Sequence, residues 1–169
     1  LPDTIRELLE KYGVSAASLV LEITESAIMH DPDAALGVLE RLSHMGLSLS
    51  IDDFGTGYSS MAYLKMLPVN IVKLDTSFVL KLASNSDDET LVHAMIELGH
   101  NMGLKVVAEG IEDEQSMNIL SGHGCDLAQG YYFSKPLPAA ELEQWLLMSI
   151  WGLEQAGGEQ ARDRSTPGQ

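Results

Sequence analysis

Five short apolar stretches, at 18–25, 47–51, 70–75, 104–110 and 125–130, each give way within a few residues to a helical pattern. Strands that alternate with helices over short connections pair in parallel, through right-handed crossovers. The stretch Leu47-Ser-Leu-Ser-Ile51 has the period-2 alternation of a strand, and Tyr131-Tyr-Phe133 reads as a continuation of the last strand. Between the strands, Asp3–Tyr12 carries Ile5, Leu8, Leu9 and Tyr12 on one helical face. Asp31-Pro32 supplies an N-cap and a first-turn proline for a helix that buries Leu36, Leu39, Leu42 and Met45 and stops at Gly46. Shorter helices are expected at Ser59–Leu64 and Ser77–Leu82, and a longer one from Asn85 to Met102 with Leu91, Met95, Leu98 and Met102 inward. Asp113–Leu120 and Ala139–Leu153 complete the set, the last packing through Trp145, Leu146 and Ile150.

The polar residues of the strands gather at one end. Glu22 and Glu25, Asp52 and Asp53, Lys73 and Asp75, Glu109 and Glu112, and Gln129 all lie in or just beyond C-terminal halves of strands. Doubly wound sheets and (β/α)8 barrels both place their sites there. No Gly-x-Gly-x-x-Gly follows the first strand, which disfavours dinucleotide binding. A barrel gathers side chains from successive strands, so the expected fold is α/β, a TIM-type (β/α)8 barrel. The strand count is short of the ~8 that such a barrel needs.

At 169 residues and 45% hydrophobic content, one globular domain is expected. Twenty-five acids against 10 bases give a net charge of −15, which argues against DNA and against an anionic membrane surface. No apolar run approaches the ~20 residues of a membrane helix, so no direct membrane insertion is expected. The start, Leu1-Pro-Asp-Thr, has no secretory character and no initiator Met, which suggests a chain that begins inside a longer protein. A single cysteine, Cys125, fits a reducing cytoplasm and reads as a small buried residue. Residues 154–169 are polar and aperiodic, a tail expected to be disordered.

Adjacent carboxylates at Asp52 and Asp53 repel and are costly to desolvate, which points to a cation beside them, although a solvated acidic turn is the plainer reading of that pair alone. Gly55 and Gly57 permit a tight loop after them. Glu22, Asp52, Asp53 and Glu109 are hard oxygen donors suited to Mg²⁺ or Mn²⁺, and a two-metal clamp suits displacement at phosphorus. Lys73 could hold an attacking hydroxide or offset phosphate charge; it reads equally as a barrel-core lysine paired to an acid. Glu112 reads as a loop anchor. His30, His44, His93, His100 and His123 fall in or beside helices and read as surface or packing residues.

Five segments add a family resemblance: Leu21-Glu-Ile-Thr-Glu25, Asp52-Asp-Phe-Gly-Thr-Gly-Tyr-Ser-Ser60, Val72-Lys-Leu-Asp75, Ala108-Glu-Gly-Ile-Glu112 and Gly124-Cys-Asp-Leu-Ala-Gln-Gly-Tyr131. In order and spacing the chain resembles the bacterial EAL-domain phosphodiesterases, which cleave the second messenger cyclic di-GMP to linear pGpG. The resemblance implies a TIM-type barrel with two Mg²⁺ or Mn²⁺ ions. It implies Glu22, Asp52 and Asp53 as metal ligands, Lys73 at the metal-bound water, Glu109 as ligand or general base, and Gln129 positioning water or metal. Glu25 and Glu112 would anchor the loop containing Phe54, Gly55, Thr56 and Gly57, and that loop region, 52–60, would join two copies as a homodimer. An upstream sensory or GGDEF-type domain is also implied. The family's Glu-Ala-Leu motif, its following Leu-Arg and its Asn-Leu-Ser stretch are absent. Residues 1–153 are therefore expected to be the C-terminal part of such a barrel, with its first strands missing. Two other readings stand beside this one. The first is a noncatalytic cyclic di-GMP-binding or protein-interaction module, or an inactive fragment. The second is an unrelated metal-dependent barrel enzyme.

Overall fold

The structure, a computed structural model, describes residues 1–56 and 61–152. The chain divides into two compact units, Leu1–Gly130 and Tyr131–Gln169. The first is built on five parallel strands in the order β1-β2-β3-β4-β5: Val20–Thr24, Ser48–Phe54, Ile71–Leu74, Lys105–Ala108 and Leu127–Ala128. Strand order equals chain order, which is the singly wound arrangement of a barrel and not the reversed order of a doubly wound sheet. Among the described residues β1 and β5 do not pair, so the sheet is an open arc of a TIM-type barrel.

Helices α1 (Pro2–Tyr12), α2 (Glu25–His30), α3 (Pro32–His44), α4 (Met61–Leu64), α5 (Thr76–Val79), α6 (Ser86–Asn101) and α7 (Glu114–Gly122) fill the connections. Asp31 accepts from Ala34 N–H and Asn85 from Asp87 N–H, at starts the sequence marks, and Asp113 caps α7 by accepting from Ser116 N–H. The sheet ladder extends past the strand start, as where Asn70 N–H, just before β3, donates to Leu49 O of β2.

Strand register assigns the two faces of the arc. Ile51, Val72 and Val106 share one row and Leu74 and Ala108 another, and these alternate with Lys73 and Val107. The first set is buried beneath the helices, with Leu49, Ile51, Val72, Leu74, Val106 and Ala108 at 0–1% exposure. That face holds the core, because helix-covered parallel strands leave no water for their apolar side chains.

Several expectations are corrected. Helix α2 begins at Glu25, where the sequence reading runs a strand to 25 and starts the next helix at 31. The Thr24 hydroxyl accepts from Ala27 N–H and turns the chain into a helix at once. The α6 face turned inward is Val92, Met95, Ile96 and Gly99; Leu91 is exposed and Leu98 and Met102 are half-buried. Gly99 is the reason: a methyl there would lie 2.6 Å from Val106 Cγ2, so the helix approaches the sheet on its smallest residue. In α1, Pro2 and Ile5 are buried while Leu8 and Tyr12 are exposed. In α3 the buried pair is Leu39 and Leu42. Strand β5 covers only Leu127–Ala128, and Tyr131–Phe133 turn instead of continuing it.

The second unit contains α8 (Ala139–Met148), which ends short of the expected Leu153. Ile150 is exposed there, and Tyr132, Phe133 and Trp151 form an edge-to-face ring cluster. The expected tail, the first part of the Ser59–Leu64 helix and Gly57 lie outside the described residues. Among the described residues no helix is long and apolar enough to cross a membrane.

Candidate active site

The other face of the arc is polar. Period-2 alternation and the parallel register put Glu22, Ser50, Asp52 and Lys73 on it. Glu109, just beyond β4, and Gln129, just beyond β5, continue the same alternation. Lys73 is 6% exposed, and its Nζ lies 2.7 Å from Glu22 Oε2, 3.1 Å from Asp52 Oδ1 and 2.7 Å from Glu109 Oε1. Burial by itself would push the Lys73 ammonium toward losing its proton. The carboxylates of Glu109, Glu22 and Asp52 outweigh this and hold its pKa well above the ordinary lysine value. One ammonium thus faces three carboxylates, which leaves the cluster with surplus negative charge at the C-terminal ends of parallel strands.

The end of β2 departs from regular strand geometry at this point. The register to β3 shifts between Ile51 and Phe54, and Asp53 takes a left-handed φ of 57°. A bulge of this kind re-aims a side chain, and such backbone persists where its surroundings enforce it. Thr56 helps to do so, donating from its N–H and its hydroxyl to Asp53 O at 3.2 and 2.9 Å. Phe54 is buried and pairs with Leu74. Glu25, 5% exposed, sits at the first position of α2, where the helix dipole favours a carboxylate.

The structure therefore brings Glu22, Asp52, Lys73 and Glu109 together. Asp53, Gln129 and Glu112 lie outside that ion-paired set. The main chain of Gln129 ties the site's edge, with its N–H donating to Ala108 O and its carbonyl accepting from Ile111 N–H, while its side chain is exposed. Glu112 is exposed, with no ion pair among the described residues. Ser50 was not singled out by sequence reasoning. It is buried, in register with Glu22, and its hydroxyl has no hydrogen-bond partner among the described residues. Stepping back two residues from Asp52 along the strand would have found it.

Two of the histidines tie helices to neighbouring segments. His123 is 3.1 Å from Glu89 Oε1 with its ring tilted at 39° against His93, and His100 meets Asp126 at 2.8 Å. Cys125 is half-buried with its thiol near Val106 O and Leu127 O, and burial raises its pKa, which makes it a poor nucleophile.

Among the described residues no three His, Cys, Asp or Glu side chains converge as a metal cage; the Lys73 ammonium stands between the acids instead. Two observations nevertheless fit a divalent cation. The donor set is all carboxylate oxygen, the chemistry of hard cations. Asp52 Oδ1 is buried and accepts no hydrogen bond among the described residues, even with Lys73 close by.

The family model described as "EAL domain" matches residues 1–136, and the chain belongs to that family. It is 47% identical over 146 residues to the cyclic di-GMP phosphodiesterase NbdA of Pseudomonas aeruginosa, a match that covers 86% of this chain and 19% of that protein. MucR of the same organism, a bifunctional diguanylate cyclase/cyclic di-GMP phosphodiesterase, is 46% identical over 84% of this chain and 21% of its own length. The solved MucR phosphodiesterase in complex with c-di-GMP superposes with a TM-score of 0.80 at 46% identity, covering 83% of this chain and 57% of that one. Klebsiella pneumoniae BlrP1, solved as a manganese/cy-diGMP complex, gives a TM-score of 0.73 at 29% identity over 80% of this chain and 36% of that one. The chain spans about a fifth of the length of the curated relatives it matches.

Proposed function

We propose that this chain supplies part of the reaction centre of a metal-dependent phosphodiesterase that hydrolyses cyclic di-GMP to linear pGpG in bacterial second-messenger signalling. The observation that carries the reading is the set of three carboxylates, Glu22, Asp52 and Glu109, around the buried Lys73 ammonium. The names of NbdA and MucR, and the cyclic di-GMP complexes of MucR and BlrP1, support it.

Glu22, Asp52, Asp53 and Glu109 would hold Mg²⁺ or Mn²⁺. When bound, such ions supply charge stabilisation at phosphorus and an activated water. Lys73 offsets the negative charge that builds on the phosphate oxygens, and the surrounding carboxylates outweigh its burial and keep it charged for that role. Glu109 accepts the proton of the attacking water, and the Gln129 side chain orients that water. The loop of Phe54, Gly55, Thr56 and Gly57 would border the substrate, with the buried Phe54 holding its start to β3 and Glu25 and Glu112 anchoring it. The 52–60 region joins two copies as a homodimer. A GGDEF-type or sensory domain lies upstream, a reading supported by the bifunctional name of MucR. The reaction belongs in the cytoplasm, with or without a membrane anchor elsewhere in the protein.

A second reading, binding of cyclic di-GMP without hydrolysis, is favoured by the Lys73 ammonium standing where the acids would otherwise converge. One experiment separates the two. The full-length protein is incubated with cyclic di-GMP and Mn²⁺, and the products are resolved chromatographically. The first reading expects pGpG, with turnover lowered on the order of a hundredfold or more in Asp52→Ala. Binding without any pGpG would establish the second reading and overturn the first.

A further inference from the structure

Helix α5 is a single turn wedged between the two segments that carry the acids. It starts at the end of the strand that bears Lys73, and its N-cap Asp75 accepts from Ser77 N–H at 3.0 Å, which fixes where the turn begins. On one side Phe78, together with Met95 of α6, closes on Gly55. A methyl built on Gly55 would fall 2.4 Å from Met95 Cε and 3.2 Å from Phe78 Cε2, and its φ is +96°. On the other side Thr76 closes on Gly110, where a methyl would fall 2.4 Å from Thr76 Cγ2 at a φ of +73°.

Gly55 closely follows Asp52 and Asp53, and Gly110 directly follows Glu109. Both carboxylate-bearing segments thus press bare backbone against the same turn, each in a left-handed conformation that only glycine adopts without strain. Asp53, two residues before Gly55, also holds a positive φ, at a modest backbone cost. The Phe78–Met95 wall against Gly55 limits where that turn can go.

We propose that Thr76 and Phe78 are positioning residues that set the separation of the Asp52–Asp53 pair from Glu109 across Lys73. The proposal rests on the reading of that cluster as the reaction centre. Neither side chain touches substrate in this account; both act through the backbone of the acid-bearing turns. Positioning partners behind metal-binding side chains typically matter by ~10–100-fold in metal affinity.

The test uses the full-length protein carrying Phe78→Ala, Thr76→Ala or, as a shape-keeping control, Phe78→Leu. Mn²⁺ affinity is read from the electron paramagnetic resonance of the free ion. Amide exchange is followed at Thr56, whose N–H donates to Asp53 O, and at Ile111, whose N–H donates to Gln129 O. Both alanine variants are expected to lose roughly 10–100-fold in Mn²⁺ affinity. Exchange should accelerate about tenfold at Thr56 in Phe78→Ala and at Ile111 in Thr76→Ala, with the central strands unchanged. Phe78→Leu should recover most of both effects. Mn²⁺ affinity within twofold of the parent in folded variants would overturn the proposal, and so would a uniform loss of protection across all strands. If the parent itself binds no Mn²⁺, the metal reading of the site fails, and exchange at Thr56 and Ile111 alone decides: unchanged protection overturns the positioning role.

Discussion

The two faces of the five-stranded arc obey opposite rules although the same strands build both. On the helix-covered face, Leu49, Val72, Leu74, Val106 and Ala108 are at 0% exposure and carry no charge. On the concave face, alternate positions of those strands present Glu22, Ser50, Asp52 and Lys73, and Leu127 is 49% exposed. The first face is selected by apolar burial, which is non-directional and tolerant of which aliphatic side chain fills it. The second is selected by charge balance, where one ammonium holds three carboxylates and each member depends on the others. A parallel strand can satisfy both because its side chains alternate strictly. Stability resides on one face and chemistry on the other.

The apolar face is where a single truncation should cost most. Leu74→Ala should cost about 3 kcal/mol through the cavity it leaves, read as a lowered urea midpoint at constant slope. A loss under about 1 kcal/mol would mean that this face is not the core.

Lys73→Met ranks next. It leaves three acids without their counter-charge, and an expected loss of about 2 kcal/mol is discounted for the solvent that reaches the half-exposed Glu22. Because the Lys73 pKa is raised on folding, its contribution is complete below the unfolded value of ~10.4 and fades only as pH rises beyond it. The difference between wild type and Lys73→Met should therefore be flat from pH 6 to about 9. A variant as stable as the parent would dissolve the distinction between the faces.

Asp113→Ala should cost about 1 kcal/mol through the lost cap of α7. Hydrogen bonds from Ser116, its backbone N–H first, lower the Asp113 pKa on folding. Its contribution is thus present above pH ~4 and is lost as pH falls through the folded value. Thermal melts of the pair should converge as pH falls through that lowered folded value, in acid below the ordinary carboxylate range. The smallest effect is expected at Leu127→Ala on the concave face, within about 0.5 kcal/mol, since its side chain is half in water already.

Much of this contrast is legible in the sequence, for reasons that differ from residue to residue. Asp31-Pro32 and Asn85 announce helix starts because capping is local chemistry, and the caps form as expected. The acids at strand ends reveal one end of a parallel sheet because the fold class fixes where strand ends meet. What escapes is decided across the chain. The α6 face is set by Gly99 against Val106, a contact that no periodicity reports. The α2 helix hangs on a threonine hydroxyl at a strand end. That Glu22, Asp52 and Glu109 converge on one lysine follows from inter-strand register, which a single strand's sequence does not carry. The bulge at Asp53 is likewise invisible until β2 is laid beside β3.

The most direct measurement is the anomalous scattering of Mn²⁺ in crystals of the full-length protein. A peak is expected within about 2.0–2.5 Å of carboxylate oxygens of Asp52 and Glu22 on the concave face of the arc. A Mn²⁺ peak only elsewhere, with Lys73 still the sole cation among those acids at saturating metal, would contradict it.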